Sequence, residues 1–236
     1  MSETPNRIAV KPRIIIAVLL VVVALLGLAD IITQTIKFVT GHPWVFGLVP
    51  KFDLSQENNL PTFFSSLDLA IASLLLGIIA ALSKRAGKPY NWHWTLLSLI
   101  FLFLSLDEVA SLHELSARPT QTILGVSGVF YFAWVIPAGL LLIILGLAYF
   151  KFLMHLPSRT RLIFMVAAAM YVGGALGFEM TEGQYVELFG KETLAYSFLV
   201  LIEETFEMTG IVVFVYALLD YLRRQFGEIQ ILVESS

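Results

Sequence analysis

Six long apolar tracts separated by short polar connections organise the chain, at approximately residues 14–38, 60–83, 93–116, 125–152, 161–186 and 194–222. Each holds the roughly 20 mostly apolar residues that a membrane-spanning helix requires. The first follows Lys11 and Arg13 as a signal peptide would, but it continues through "DIITQTIKFV" with no small-residue cleavage site, and is read as retained. Connections such as "SKRAGKPYN" and "HLPSRTR" carry the glycine, proline and polar residues of turns. The segment 41–59, "GHPWVFGLVPKFDLSQENN", differs, because it mixes Trp44, Phe46 and Leu48 with Pro43 and Pro50. It reads as an outer interfacial lid, after which Pro61 fits the first turn of span two. The pattern predicts an all-α polytopic membrane bundle forming a single domain over 1–236, with no linker and no low-complexity tract.

Composition agrees. Of 236 residues 58% are hydrophobic and 14% charged, against about 25% charged in ordinary soluble domains. The absence of cysteine excludes disulfides, thiolate metal sites and cysteine nucleophiles. A net charge of −3 with scattered basic residues gives no footprint for nucleic acid.

The basic residues set an orientation, since they concentrate on the cytoplasmic side. Arg7, Lys11 and Arg13 precede span one; Lys84, Arg85 and Lys88 follow span two; Lys151, Arg159 and Arg161 lie between spans four and five; Arg223 and Arg224 follow span six. Only Lys37, Lys51, Arg118 and Lys191 lie on the other side, so both termini are expected in the cytoplasm. Tyr90, Trp92 and Trp94 then fall where an inner aromatic belt is expected.

Against this background "LSLDEVASLHE" stands out, because four ionisable groups close an apolar tract. At 100° per residue Asp107, Ser111 and Glu114 share a stripe, flanked by Glu108 on one side and His113 on the other. In span six "LIEETFEMTG" puts Glu203, Glu204 and Glu207 at the same depth. Asp30, Asp68, Glu179 and Glu182 fall in the same outer half, and Glu57 sits just above it. Span four has no ionisable residue within its apolar stretch, which suits a lipid-facing helix kinked at Pro137. "GGALG" permits close helix approach just before Glu179.

An ionised carboxylate at a membrane helix centre costs about 2.5–3.5 kcal/mol on insertion scales, and no Lys or Arg shares the outer halves of spans two, three, five or six. Protonation, a water-filled cavity or bound cations are the remaining compensations. Carboxylates with an imidazole are the ligand set of dinuclear iron or manganese sites in helix bundles, whereas oxygen-rich coordination suits calcium, magnesium or manganese. The expected ligands of a divalent metal ion (iron, manganese, calcium or zinc) are Glu108, His113, Glu114, Glu203, Glu204 and Glu207, with Asp107 or Glu57 as catalytic base. Glu57 reads equally as a helix-start cap. Asp30 and Asp68 read as hydrogen-bonded packing residues, Asp220 as an ion-pair partner of Arg223 and Arg224, and His93 as an interface residue. His42 and His155 are assigned no role.

"ENNLPTFFSS", followed by the acidic end of span three, resembles the Glu-x-Asn and Ser elements of the alkaline ceramidase-like (CREST) membrane hydrolases over about a tenth of the chain. That resemblance implies a zinc-activated water attacking lipid amides. The family's H-x-x-x-H pair has no counterpart, and "EETFE" stands in its place. The wider pattern is similar to uncharacterised bacterial six-span membrane proteins carrying D-E…H-E and E-E-x-x-E motifs, which implies a bacterial inner or plasma membrane.

Two function classes follow. A metal-dependent enzyme would act on a lipid or other membrane-soluble substrate entering from the bilayer. A cation- or proton-coupled transporter would use the same carboxylates, and "FLSLDEVAS" aligns with "FLVLIEETF" as a 3+3 inverted repeat requires. A structural subunit of a membrane complex would bind no ion.

Overall fold

The computed structural model describes residues 11–227. Among these, the chain is helical throughout, without strands: α1 (Pro12–Thr40), α2 (Val49–Phe52), α3 (Leu60–Arg85), α4 (Asn91–Ala110), α5 (Glu114–Leu124), α6 (Val135–His155), α7 (Ser158–Val172), a π-turn (Gly173–Phe178), α8 (Glu179–Phe189) and α9 (Leu194–Phe226). Arg7 and the ends of the expected single domain lie outside the described residues.

Five helices are long and apolar enough to cross a membrane: α1, α3, α4, α6 and the continuous Ser158–Phe189 helix. The sixth tract is the 33-residue α9, about 50 Å long at 1.5 Å per residue but interrupted by Glu203, Glu204 and Glu207. Local chemistry fixes the ends. Pro12 sits in the first turn of α1, and left-handed Gly41 closes it with an N–H to the Lys37 carbonyl. Asn59 caps α3 by accepting from the Thr62 N–H, and Thr193 caps α9 by accepting from Tyr196.

Two expected spans are corrected. Span three ends at Ala110 and not at residue 116, because Ser111 turns left-handed (φ 50°) and the chain restarts as the separate α5. The stripe joining Asp107, Ser111 and Glu114 therefore does not form. Span four begins at Val135 and not at 125, which places Pro137 in its first turn, where it kinks nothing. Trp94 is also not at an aromatic belt: it is 2% exposed and packs on Phe152, Phe164 and Tyr221, while Trp92 stays exposed.

α9 runs through the middle of the bundle, with α1, α3 and α7 packed along it. Close approach on the α7 side requires glycine at two positions. A Cβ on Gly210 would stand 2.8 Å from the Tyr171 nitrogen, and one on Gly174 would stand 2.6 Å from Glu207 Cγ and 3.0 Å from the Glu203 carbonyl. The expectation that "GGALG" permits close approach is met, and the same segment widens into the π-turn. α3 and α4 are locked by reciprocal serine pairs: Ser66 and Ser105 each donate to the other's carbonyl at 2.8 Å, and Ser73 and Ser98 do so at 2.7 and 2.8 Å. Both helices space these serines seven residues apart, so one face of each carries both pairs.

The 41–59 segment is held by side chains. Asp30 accepts from the Leu54 N–H (3.2 Å) and Gln34 (3.4 Å), which ties the segment to α1 and agrees with its expected packing role. Buried Asp53 accepts from Ser55 and Gln56, and Asn59 donates to the Asp53 carbonyl. Phe46 remains 97% exposed.

Candidate metal centre

The break after α4 builds the first part of the site. Asp107 accepts the His113 backbone N–H at 2.7 Å with one oxygen and meets His113 Nδ1 at 3.1 Å with the other. The carboxylate thus folds the chain back on itself and fixes the imidazole, leaving Nε2 available. Around that ring stand Glu57, from the loop before α3, and Glu114, the first residue of α5; ligand atoms of His113, Glu57 and Glu114 lie within 4.8 Å of one another. Glu57 is not a helix cap, since Asn59 takes that role.

Both loop groups are electrostatically tuned. Burial raises the pKa of Glu57 above its ordinary 4.5, and the Glu114 carboxylate adds to the rise. Burial works to lower that of His113, but the Asp107 hydrogen bond and charge outweigh it and leave the imidazole above its ordinary 6.5.

A second group forms where α8 meets α9. Glu179, Glu182 and Glu203 bring carboxylate oxygens within 4.8 Å of one another, and Glu182 and Glu203 are buried. One Glu182 oxygen has no hydrogen-bond partner. Trp134, at the start of α6, joins the two groups: its ring lies 4.6 Å from the His113 ring, and its indole N–H donates to Glu179 at 3.0 Å.

Glu108, Glu204 and Glu207 belong to neither tight group. Glu108 is the charge that Glu204 feels most strongly, and Glu204 is that for Glu207. Tyr171 of α7 lies within the electrostatic reach of Glu207, Glu108, Asp107 and Glu204. The six expected ligands are thus divided: His113 and Glu114 join Glu57, Glu203 joins Glu179 and Glu182, and Glu108, Glu204 and Glu207 form a layer of half-buried carboxylates. Asp107 sits behind His113 and not among the ligand atoms.

Sequence reasoning did not assign Glu179, Glu182 or Trp134 to the site. The acidic pair at 179 and 182 has an i, i+3 spacing that puts both on one helix face, and this was the available signal. Trp134 lies in the apolar "FYFAW" and carries no such signal. Asp68 is a correction of another kind, because it is fully buried and neither of its oxygens has a hydrogen-bond partner among the described residues.

Chemically, the first group offers one imidazole and two carboxylates, and the second offers oxygen alone. Both sets suit divalent cations. A buried carboxylate oxygen with no donor is costly unless a proton, water or cation satisfies it, and Glu182 is in that position. No match was found among curated proteins or among solved structures. Residues 13–222 match the family model described as "Domain of unknown function (DUF8692)", and the chain belongs to that family.

Proposed function

We propose that the chain is a six-span membrane protein of a bacterial inner membrane, with both termini cytoplasmic. In this reading the outer-half carboxylates hold divalent cations, which serve a metal-dependent enzyme acting on a lipid or other membrane-soluble substrate. The observation that carries this is the Asp107–His113 pair beside Glu57 and Glu114. A carboxylate that orients an imidazole through Nδ1 is the supporting arrangement of many metal sites, and a purely structural histidine does not require two further carboxylates at its free edge.

A cation held there supplies Lewis-acid activation of water or of a substrate oxygen. His113, Glu57 and Glu114 would bind it, and iron, manganese or zinc suits that mixed donor set. Glu179, Glu182 and Glu203 would take a harder ion, calcium, magnesium or manganese. Asp107 keeps the ring in place, and Trp134 couples the orientation of His113 to that of Glu179. Exposed Leu106 and Val109 flank Asp107 and Glu108 on α4, which supports sideways entry by an apolar substrate. The exposed apolar face of α6 (Leu140, Leu141, Ile143, Ile144, Leu147) supports a lipid environment.

One observation favours a cation- or proton-coupled transporter as the second reading. The acidic groups continue from the two tight clusters through Glu108 and Glu204 to Glu207 and Tyr171, a succession suited to handing on protons.

Elemental analysis of protein purified in mild detergent without added metal tests both. Near-stoichiometric iron, manganese or zinc is the expected result, and metal-free protein that fails to take up added ions overturns it. Ion flux in proteoliposomes would favour the transporter. The topology has its own test in this cysteine-free chain: a cysteine at Gly87 is expected to label only from the cytoplasm and one at Gln56 only from outside.

A further inference from the structure

At the opposite end of the bundle a cavity of about 460 Å³ opens between the starts of α1 and α7 and the end of α9. Its size falls within the ligand-pocket range of about 300–1,000 Å³. Arg159, Arg223 and Arg224 line it and converge on one buried carboxylate, Asp220, at 3.3, 3.0 and 2.7 Å. Arg159 also donates to the Tyr216 hydroxyl at 3.2 Å. Lys11 and Arg13 complete the lining, so that among the described lining residues five cations face one anion.

Neutralising Asp220 does not explain this arrangement, since one carboxylate needs one counter-charge. Each guanidinium carries five N–H donors, and the three arginine side chains remain 46–65% exposed beside the cavity. Asp220 therefore acts as a hub that holds three guanidinium groups in fixed positions with donors to spare. Two helix N-termini, of α1 and α7, add partial positive charge to the same space. Ile14 lines the cavity and is 60% exposed, giving it an apolar flank on the helix surface.

We propose that this cavity binds a phosphate-bearing anion, either the headgroup of an anionic phospholipid or a soluble phosphate compound. Arg159 and Arg224 are its principal ligands, with Lys11 and Arg13 closing over the far side. The site does not depend on the carboxylates of the other end, so removal of metal is expected to leave it intact.

The test is lipid retention by the full-length protein in neutral detergent, read by native mass spectrometry after equilibration with phosphatidylglycerol or phosphatidylcholine. Inorganic phosphate is titrated separately. Phosphatidylglycerol is expected to be retained in preference to phosphatidylcholine, and Arg159→Gln, Arg224→Gln and Lys11→Gln are each expected to weaken it about five-fold. The triple variant Lys84→Gln, Arg85→Gln, Lys88→Gln removes basic charge elsewhere and is expected to leave retention unchanged. Variants are compared only where thermal midpoints match that of the parent. Phosphate that binds alone with the same arginine dependence, while neither lipid is preferred, identifies a soluble anion as the ligand. Equal retention of both lipids without phosphate binding overturns the proposal, as does a triple variant that weakens retention as much as Arg159→Gln does, because charge alone would then suffice.

Discussion

The two ends of the bundle treat their carboxylates in opposite ways. At one end a single acid, Asp220, is held by three arginines, each within 3.3 Å of its carboxylate. At the other, exposed Glu57 and Glu114 gather round His113, and Glu179, with buried Glu182 and Glu203, meets the Trp134 indole N–H, with Glu108, Glu204 and Glu207 half-buried. Lys191 lies over the Phe132 ring at 4.9 Å. An acid paired with arginine has its charge balanced by the protein itself. Acids packed against acids do not, because each like charge raises the cost of the next, and protonation, water or cations are the ways to balance them.

The largest expected effect breaks that contrast directly. If cations balance the second cluster, Glu182→Gln and Glu203→Gln each remove a ligand and are expected to lower metal affinity by at least about 100-fold, taking ligand loss to exceed the 10–100-fold that follows loss of an outer-shell partner. If nothing but protons balances it, the same changes remove repulsion and the thermal midpoint rises. Metal content and melting temperature measured on the same preparations separate the two, and a rise in stability with no change in metal would sink the cation reading.

Asp107→Asn is next in size. Asparagine keeps the shape but presents an amide where His113 Nδ1 meets a carboxylate oxygen, so the imidazole loses its anionic support. Metal affinity is expected to fall about 10–100-fold, while Trp134→Phe, which removes only the donor to Glu179, is expected to cost less. A larger loss from Trp134→Phe would move the weight of the site to the α8–α9 cluster. Neither change touches Asp220, so retention of anionic lipid at the other end serves as the internal control.

Two glycines sharpen the comparison through packing. Gly174→Ala and Gly210→Ala both place a methyl against α7–α9 contacts shorter than 3.0 Å, and overpacking of this kind costs about 1–3 kcal/mol. Gly174 abuts Glu203 and Glu207, so its substitution is expected to lower both stability and metal affinity. Gly210 abuts Tyr171 and Ala167 and is expected to lower stability alone. Denaturation in detergent alongside metal titration distinguishes them.

The apolar tracts made the helices legible because lipid-compatible length and hydrophobicity are local properties. The tract 60–83 became Leu60–Arg85, and 194–222 became Leu194–Phe226. Span three failed for a reason that hydropathy does not register. "DEVASLHE" contains no glycine or proline, and the helix ends because the Asp107 side chain captures the His113 N–H. That Glu108 and Glu204 lie at a shared depth was legible, and Glu108 is the charge that Glu204 feels most strongly. The partners of Glu203 were not, because the rotation of α8 depends on the π-turn, and a shift to i, i+5 bonding turns every later side chain about the axis. Asp68 shows the converse: a lone acid in an apolar helix reads as hydrogen-bonded, yet neither of its oxygens has a partner among the described residues.

The smallest effect is a slope with pH, and its sign distinguishes the two ways of balancing the outer charges. Burial raises Glu57, and the Asp107 contact raises His113. A raised pKa means that the folded state holds more protons than the unfolded state between the two values, so stability falls as pH rises through that window. In the metal-free protein the contribution of both groups is therefore expected to be complete below their unfolded values and to fade as pH rises through the folded ones, above 4.5 for Glu57 and above 6.5 for His113. A bound cation reverses the slope, because its ligands must lose their protons first: affinity, and with it stability, increases with pH. Melting temperatures from acid to mildly alkaline pH, with and without a strong chelator, are expected to give slopes of opposite sign that cross. The same scan on Glu57→Gln is expected to flatten the chelated curve, since glutamine carries no proton to lose. Parallel curves would mean that no cation links folding to these groups, and the arginine-held Asp220 end would then be the better guide to how this bundle treats its buried acids.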